Sequence, residues 1–373
     1  MMRVLIAADY ATPASGNFVA SLVELGRRMQ DKGHEIVFCF PISAYTTSDK
    51  SWTNWLRKEG FTVYLFGKAE PEEKQLAFLK AVISKHSIDL IHIHFGMFHH
   101  VILHHVWRLG VKVLVHDHMG FSPNVRKKTI ASCMLKSLVY RVKHIGLICV
   151  APEKFRVFRF ARRWLLPNGL SFIRNVDHSA TREECRAELG LQPEDRFCLF
   201  LGWELYIKGL DIAVKAVNSL HEKNPHLLLG IIGVGTPPKK QRLDSIRQKT
   251  GVDPESSWIR YLPSREDMFA YHRAADVYLS ASRSEAFSYG LLETISQNTP
   301  AAVSDIEGTA WSKDYSKAFI YPTEDYLACA DAIQSALDAG RSPSNYAEML
   351  DRYSIERWCD SVYSIYKKML GIK

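Results

Sequence analysis

The sequence predicts an α/β chain built of two doubly wound parallel-sheet domains. Three observations carry this. Short apolar runs alternate with amphipathic helical stretches along the whole length. The alternation starts afresh after a Pro167-Asn168-Gly169 cluster. Each half also carries a glycine-bearing loop after a strand-like run, with Gly16 in the first and Gly202, Gly233 and Gly235 in the second. Alternation with glycine-bearing strand ends is a Rossmann-like pattern, and 373 residues are enough for two such domains.

In the first half, strands are expected at Val4–Ala8, Ile36–Phe40, Val63–Phe66, Leu90–His94, Val113–His116 and Leu147–Val150. Phe18, Leu22, Leu25 and Met29 share one helix face, with Asn17 as the expected N-cap and Gly33 as the stop. Pro167-Asn168-Gly169 reads as a turn and the domain boundary. In the second half, strands are expected at Phe197–Leu201, Leu227–Ile232, Ile259–Leu262, Val277–Ser280 and Ala301–Ser304. Helices are expected over Ile212–Leu220, Arg265–Ala275 and Tyr289–Gln297. The expected division is 1–170, 171–353 and a terminal helix, 354–373. The two domains are expected to face each other across a cleft, with ligands beyond the carboxyl ends of the strands.

Composition narrows the class. Hydrophobic residues make up 47% and charged residues 24%, which excludes disordered and fibrous chains. No cleavable leader and no membrane-spanning segment are expected, because the longest uncharged run, Leu90–Trp107, carries six histidines. Seven scattered cysteines without a Cys-x-x-Cys pair read as reduced thiols of a cytoplasmic protein.

The candidate chemistry concentrates in the second half. Glu285 follows a strand, and Glu293 lies eight positions on, inside the next helix. Phe287-Ser288-Tyr289-Gly290-Leu291 opens that helix, and a helix N-terminus can hold a phosphate. A carboxylate one or two turns further in can accept from ribose hydroxyls, so a nucleoside diphosphate fits. Lys208 lies between the strand ending at Gly202 and the next helix, where it can set a cation on a phosphate. Taken singly, each of these is more often a solvated loop or surface residue.

Together the stretches resemble family 4 of the retaining glycosyltransferases, which have the two-domain GT-B fold. The resemblance covers nearly the whole chain. It rests on the Glu285 and Glu293 pair, the Gly202…Lys208-Gly209 loop, Gly233-Val234-Gly235, Pro167-Asn168-Gly169 and the Ser15-Gly16-Asn17 loop. The Asp89–His94 strand and Tyr353–Trp358, which is similar to a last helix crossing back to the first domain, extend it. The resemblance implies that Lys208 binds the donor diphosphate and that Glu285 lies near the sugar hydroxyls. It also implies that the Phe287–Leu291 backbone holds sugar and phosphates, that Glu293 holds the ribose, and that Gly16 gives the donor room. Base selectivity is expected near Gly235 and Tyr261-Leu262-Pro263. Three departures stand out: Trp203 where the family has Arg, Ser15 in a double-glycine loop, and Ala286 and Ser288 where glycines are usual.

Eight of the fifteen histidines lie between His92 and His118. His92 and His94 are expected on opposite faces of their strand, and most of the eight in satisfied polar packing. By the resemblance, His116, expected at a strand tip, touches the transferred sugar or stabilises the transition state, with His118 as the substitute should the register slip by two. His100 and His104 have metal-binding spacing, but no Cys or carboxylate partner is in view, so no metal site is expected. The chain has no Asp-x-Asp motif, which points to metal-independent transfer from a nucleotide-sugar, with no cofactor. The donor is expected to be UDP- or GDP-linked.

Net charge is +8, yet residues 126–163 hold eleven Lys and Arg against the single acid Glu153. The remainder is therefore slightly acidic. Aromatic and aliphatic residues interleave with this basic stretch, a pattern suited to an anionic membrane surface and a glycan or lipid-linked acceptor. The expected place is the cytoplasm, at the inner face of the cytoplasmic membrane. No nucleic-acid motif accompanies the charge. Two alternatives fit the same residues: a non-catalytic partner or donor-binding subunit, and a sugar-nucleotide epimerase of the same fold.

Overall fold

A computed structural model describes residues 1–12, 15–42, 52–67, 69–124, 126–172, 179–202, 205–265 and 267–372. Contacts divide the chain into two compact units. One comprises Met1–Gly120, Asn124–Ile173 and Tyr353–Lys373, and the other Phe121–Pro123 and Arg174–Arg352.

The first unit runs β1 (Arg3–Ala8), α1 (Gly16–Asp31), β2 (Glu35–Pro41), α2 (Trp52–Lys58), β3 (Thr62–Phe66), α3 (Glu72–His86) and β4 (Leu90–His94). It continues with α4 (His99–Leu109), β5 (Lys112–Asp117), α5 (Lys127–Val142), β6 (Gly146–Cys149), α6 (Pro152–Val157) and β7 (Arg162–Leu165). The strands form one parallel sheet in the order β3-β2-β1-β4-β5-β6-β7. Side chains alternate across it as a strand requires. Val4, Ile6 and Ala8 enter one core layer, and Leu5 and Ala7 the other.

The second unit runs α7 (Arg182–Glu188), β8 (Arg196–Leu201), α8 (Leu210–His221), β9 (Leu227–Ile232), α9 (Lys240–Thr250), β10 (Ile259–Leu262) and α10 (Met268–Ala274). Then come β11 (Val277–Ser280), α11 (Tyr289–Ser296), β12 (Ala301–Ser304), β13 (Ala318–Tyr321), α12 (Tyr326–Ala339) and α13 (Tyr346–Arg352). Its parallel sheet is ordered β10-β9-β8-β11-β12-β13.

The last helix, α14 (Ile355–Leu370), belongs to the first unit. Ile355, Trp358, Cys359, Val362, Ile365, Tyr366 and Met369 fall on one stripe and are buried there, beside α1 residues such as Leu22 and Leu25. Leu170 N donates to Tyr353 O at 2.8 Å and tethers the entry to this helix.

Several local expectations are corrected. Asn17 does not cap α1; Ser15 occupies the N-cap position. The Asn17 side chain instead accepts from Ser171 N at 3.1 Å, closing a loop between distant segments. Pro167-Asn168-Gly169 is not a turn, since the chain passes from the Leu166 N to Cys149 O bond into the Leu170–Ser354 bridge. Proline and glycine serve an extended, close-packed crossing there, with Gly169 against Ser354 and Trp358. The helix expected at 265–275 is shorter, Met268–Ala274. Gly33, in contrast, does end α1, at φ +71°. None of the seven cysteines is in a disulfide. No helix among the described residues is long and apolar enough to cross a membrane.

Candidate active site

In an open parallel sheet the chain reverses winding direction at one point, and the strand ends part there to leave a crevice. In the second unit that point lies between β8 and β11. The loop after β8 carries Lys208, and the loop after β11 carries Glu285. The two side chains meet directly in an ion pair. Ser282 Oγ donates to the same Glu285 Oε1 at 2.9 Å. The sheet order thus brings together residues separated by 77 positions at the place where a ligand enters such a fold.

Two glycines permit this approach. Gly209 adopts φ +70°, and a Cβ on it would lie 1.9 Å from Ala281 O, so the Lys208 loop presses onto the β11 loop. A Cβ on Gly308 would lie 2.0 Å from Glu285 O.

Arg283 locks the two loops together. Its backbone N donates to Ile207 O at 2.7 Å, and its guanidinium to Tyr206 O at 2.6 Å. Nη1 and Nη2 each donate to Asp211 at 2.8 Å, and Nε donates to Glu324 Oε1 at 2.6 Å. Two carboxylates on one guanidinium hold it firmly cationic. Sequence reasoning missed Arg283, Asp211 and Glu324, because partners 72 and 41 positions away leave no local pattern.

The next helix, α11, opens at this crevice. Ser288 is its N-cap, and its hydroxyl accepts from Leu291 N at 3.3 Å. A glycine at this position would lack that cap bond. The Phe287 ring stacks on Trp311 at 4.7 Å, which directs the ring into packing. The first turn, from Tyr289 and Gly290, opens the helix, and its backbone N–H groups point toward the N-terminal end. Leu291 is fully buried. Glu293 is 6% exposed, and its Oε2 lies 3.4 Å from His272 Nε2. His272 Nδ1 bonds Thr294 Oγ1 at 2.8 Å, which fixes the ring.

Gly202 follows the carboxyl end of β8, Gly235 (φ +100°) follows that of β9, and Leu262 is the last residue of β10. All the described donor-site candidates of this unit therefore sit at the carboxyl ends of neighbouring parallel strands or on the helix that follows. Trp203 lies outside the described residues.

In the first unit, the winding reverses between β1 and β4. Gly16 follows β1 at φ +57°, with Tyr10 OH donating to the adjacent Ser15 O at 3.1 Å. His92 and His94 are not on opposite faces, since residues two apart on a strand share one, and their rings lie 4.1 Å apart. With His116 and His118 they form a stack of imidazoles. His92 Nδ1 bonds Tyr366 OH at 2.7 Å, and His94 Nδ1 bonds His118 Nε2 at 2.8 Å. Asp117, not His116, ends β5. His116 is 1% exposed beneath this stack, whereas His118 keeps part of its surface. Burial lowers all four imidazoles, His118 to about 4, so the stack is neutral.

Two Rossmann-like units, one with a lysine–glutamate pair and a helix N-terminus at its switch point, fit a two-domain glycosyltransferase. The family described as Glycosyl transferases group 1 matches residues 181–356, and the Glycosyltransferase Family 4 description matches 19–168. The chain belongs to glycosyltransferase family 4. A D-inositol 3-phosphate glycosyltransferase of Nocardia farcinica is 27% identical over 199 residues, 48% of this chain and 44% of that protein. The chain thus spans less than half the length of such relatives. The gpi3 subunit of the Schizosaccharomyces pombe phosphatidylinositol N-acetylglucosaminyltransferase is 23% identical over 88% of this chain and 72% of its own length. Among solved structures, HepE of Anabaena in complex with UDP and glucose aligns at a TM-score of 0.77 with 14% identity, over 99% of this chain and 100% of its own. A Rickettsia africae glycosyltransferase aligns at 0.74 with 14% identity, over 99% of both chains. These structures share the GT-B fold.

Proposed function

We propose that the protein is a retaining glycosyltransferase that moves a hexosyl or related group from a UDP- or GDP-sugar to a glycan or lipid-linked saccharide. The product class is cell-surface polysaccharide or glycolipid. The Lys208–Glu285 pair beside the α11 N-terminus carries this reading. Relatives whose names include sugar transfer to inositol 3-phosphate, and a fold neighbour holding UDP and glucose, support it.

In this reading the bond between the sugar's anomeric carbon and the donor phosphate breaks through an oxocarbenium-like state. The Lys208 ammonium and the α11 N–H groups stabilise the departing diphosphate, so no metal is needed there. Glu285 orients sugar hydroxyls, and Glu293 accepts from the ribose. The acceptor hydroxyl attacks on the face the phosphate leaves, and its proton passes to a phosphate oxygen. Of the two histidines at the β5 end, His118 has the surface to meet a sugar, and His116 supports it from below.

A thermal-shift screen of UDP, GDP, ADP and their sugars identifies the donor, since the bound nucleotide raises the melting temperature. Hydrolysis of that donor, lost in Glu285→Ala, supports the transferase. Binding without turnover in the presence of membrane extract supports a donor-binding subunit, and a changed sugar on intact nucleotide supports an epimerase.

The reading includes a membrane-facing surface, at a changed address. Tyr140 and Phe158 of the basic stretch are core residues, not surface anchors. The exposed apolar groups are Leu135, Leu138 and Val142 on α5, among exposed Lys127, Lys128 and Arg141. Co-sedimentation with anionic vesicles, falling with salt and lost in Lys127→Glu/Lys128→Glu/Arg141→Glu, tests it.

A further inference from the structure

We infer that Glu72, His100 and His104 form a binding site for a divalent transition-metal ion such as Zn²⁺, with His105 beside them. Residues four apart on α4 lie on one face, and the His100 and His104 rings are 4.1 Å apart. The carboxylate that the sequence leaves out of view comes from the first residue of α3. Glu72 Oε2 lies 3.2 Å from His100 Nε2, and Oε1 lies 3.0 Å from His104 Nδ1 and 2.8 Å from His105 Nε2. One ligand atom each from Glu72, His100 and His104 fits within 4.8 Å of the others. Tetrahedral zinc needs ligand atoms about 3.4 Å apart, given bonds near 2.0–2.1 Å. The histidine side chains, 71% and 52% exposed, are free to close that gap without disturbing the core.

Packing alone does not explain the group. Three imidazoles converge on one carboxylate, and two of them, His100 and His104, are exposed enough for water to satisfy them. Two ring nitrogens and a carboxylate oxygen form a borderline donor set that favours Zn²⁺ over Mg²⁺ or Ca²⁺. His105 or water completes four-coordination. The ion would tie the start of α3 to the middle of α4, so its role is structural. It does not depend on the proposed transfer reaction.

The test uses the full chain, stripped by chelator and desalted, titrated with Zn²⁺ alone in a calorimeter. The expected result is a Zn²⁺ site on each chain whose filling raises the melting temperature, with no response to Mg²⁺. In His100→Ala/His104→Ala the affinity falls more than about tenfold and the melting shift disappears, while the metal-free melting temperature stays at the wild-type value. Glu72→Gln weakens binding without abolishing it. Zinc binding of equal affinity in the double variant, or no binding in the wild type, overturns the proposal.

Discussion

Arg283 grips Asp211 at two points, each terminal nitrogen 2.8 Å from a different carboxylate oxygen. The arginine side chain is 4% exposed, so this pair is shut away from solvent on one side. It joins the loop after β11 to the start of α8 and thereby sets where Lys208 and Glu285 meet. The Lys208–Glu285 contact is thus the product of a larger clamp.

Arg283→Ala therefore leaves Asp211 without its partner and frees both loops. Removing one member of a buried pair costs about 3–5 kcal/mol. Asp211, 22% exposed, recovers some hydration, which places the expected loss near the lower bound. Glu324 is 58% exposed, and Glu324→Gln should cost under about 1 kcal/mol. Urea unfolding of both variants measures the difference.

Lys208→Ala should leave the fold intact and remove the cation from the leaving diphosphate. Loss of one such transition-state contact typically lowers kcat by about 10²–10³. Steady-state turnover of the identified donor, with the melting temperature measured in parallel, separates chemistry from stability. An unchanged kcat removes Lys208 from the reaction.

The sheets and the second-unit site were largely legible because their signals are local. Short apolar runs located β4, β9, β10, β11 and β12 at their observed bounds. Sequence pattern missed β7 (RRWL) and β13, each at one edge of its sheet, the first carrying two arginines and no fully buried residue. The expected helix cap failed for a different reason. Asn17 has the right residue type, but Ser171, 154 positions away, takes its side chain. The same holds for Arg283 with Asp211 and for Glu72 with the α4 histidines. These contacts exist only once the sheets have brought distant segments together, so neither period nor spacing announces them.

Gly308→Ala tests how tightly the site is built. The new methyl group would sit 2.0 Å from Glu285 O, inside van der Waals contact with backbone that cannot rotate away. Overpacking of this kind costs about 1–3 kcal/mol. Relief by moving the 285 backbone would pull Glu285 from Lys208, so donor turnover should fall together with the melting temperature. Wild-type turnover would show that the Glu285 position is not critical.

The histidine stack makes stability depend on acid. His92, His94, His116 and His118 are held below their ordinary value of 6.5, chiefly by burial, with Tyr366 on His92 and Asp117 the nearest acid to His118. Unfolded, each titrates near 6.5. Below that pH the unfolded chain binds more protons than the folded one, so unfolding is favoured as pH falls. The stability is fully present above about pH 6.5 and is lost progressively on acidification, for His118 down to about 4. Each histidine contributes a slope of up to about 1.4 kcal/mol per pH unit in that window. Urea unfolding at pH 7.5 and at about pH 5.5 should therefore show a marked loss. In His116→Phe, which keeps an aromatic ring in the stack and removes the titrating group, the slope between the two pH values should be shallower. An identical slope would mean that the imidazoles accept protons within the fold, and that the buried stack does not control the acid response.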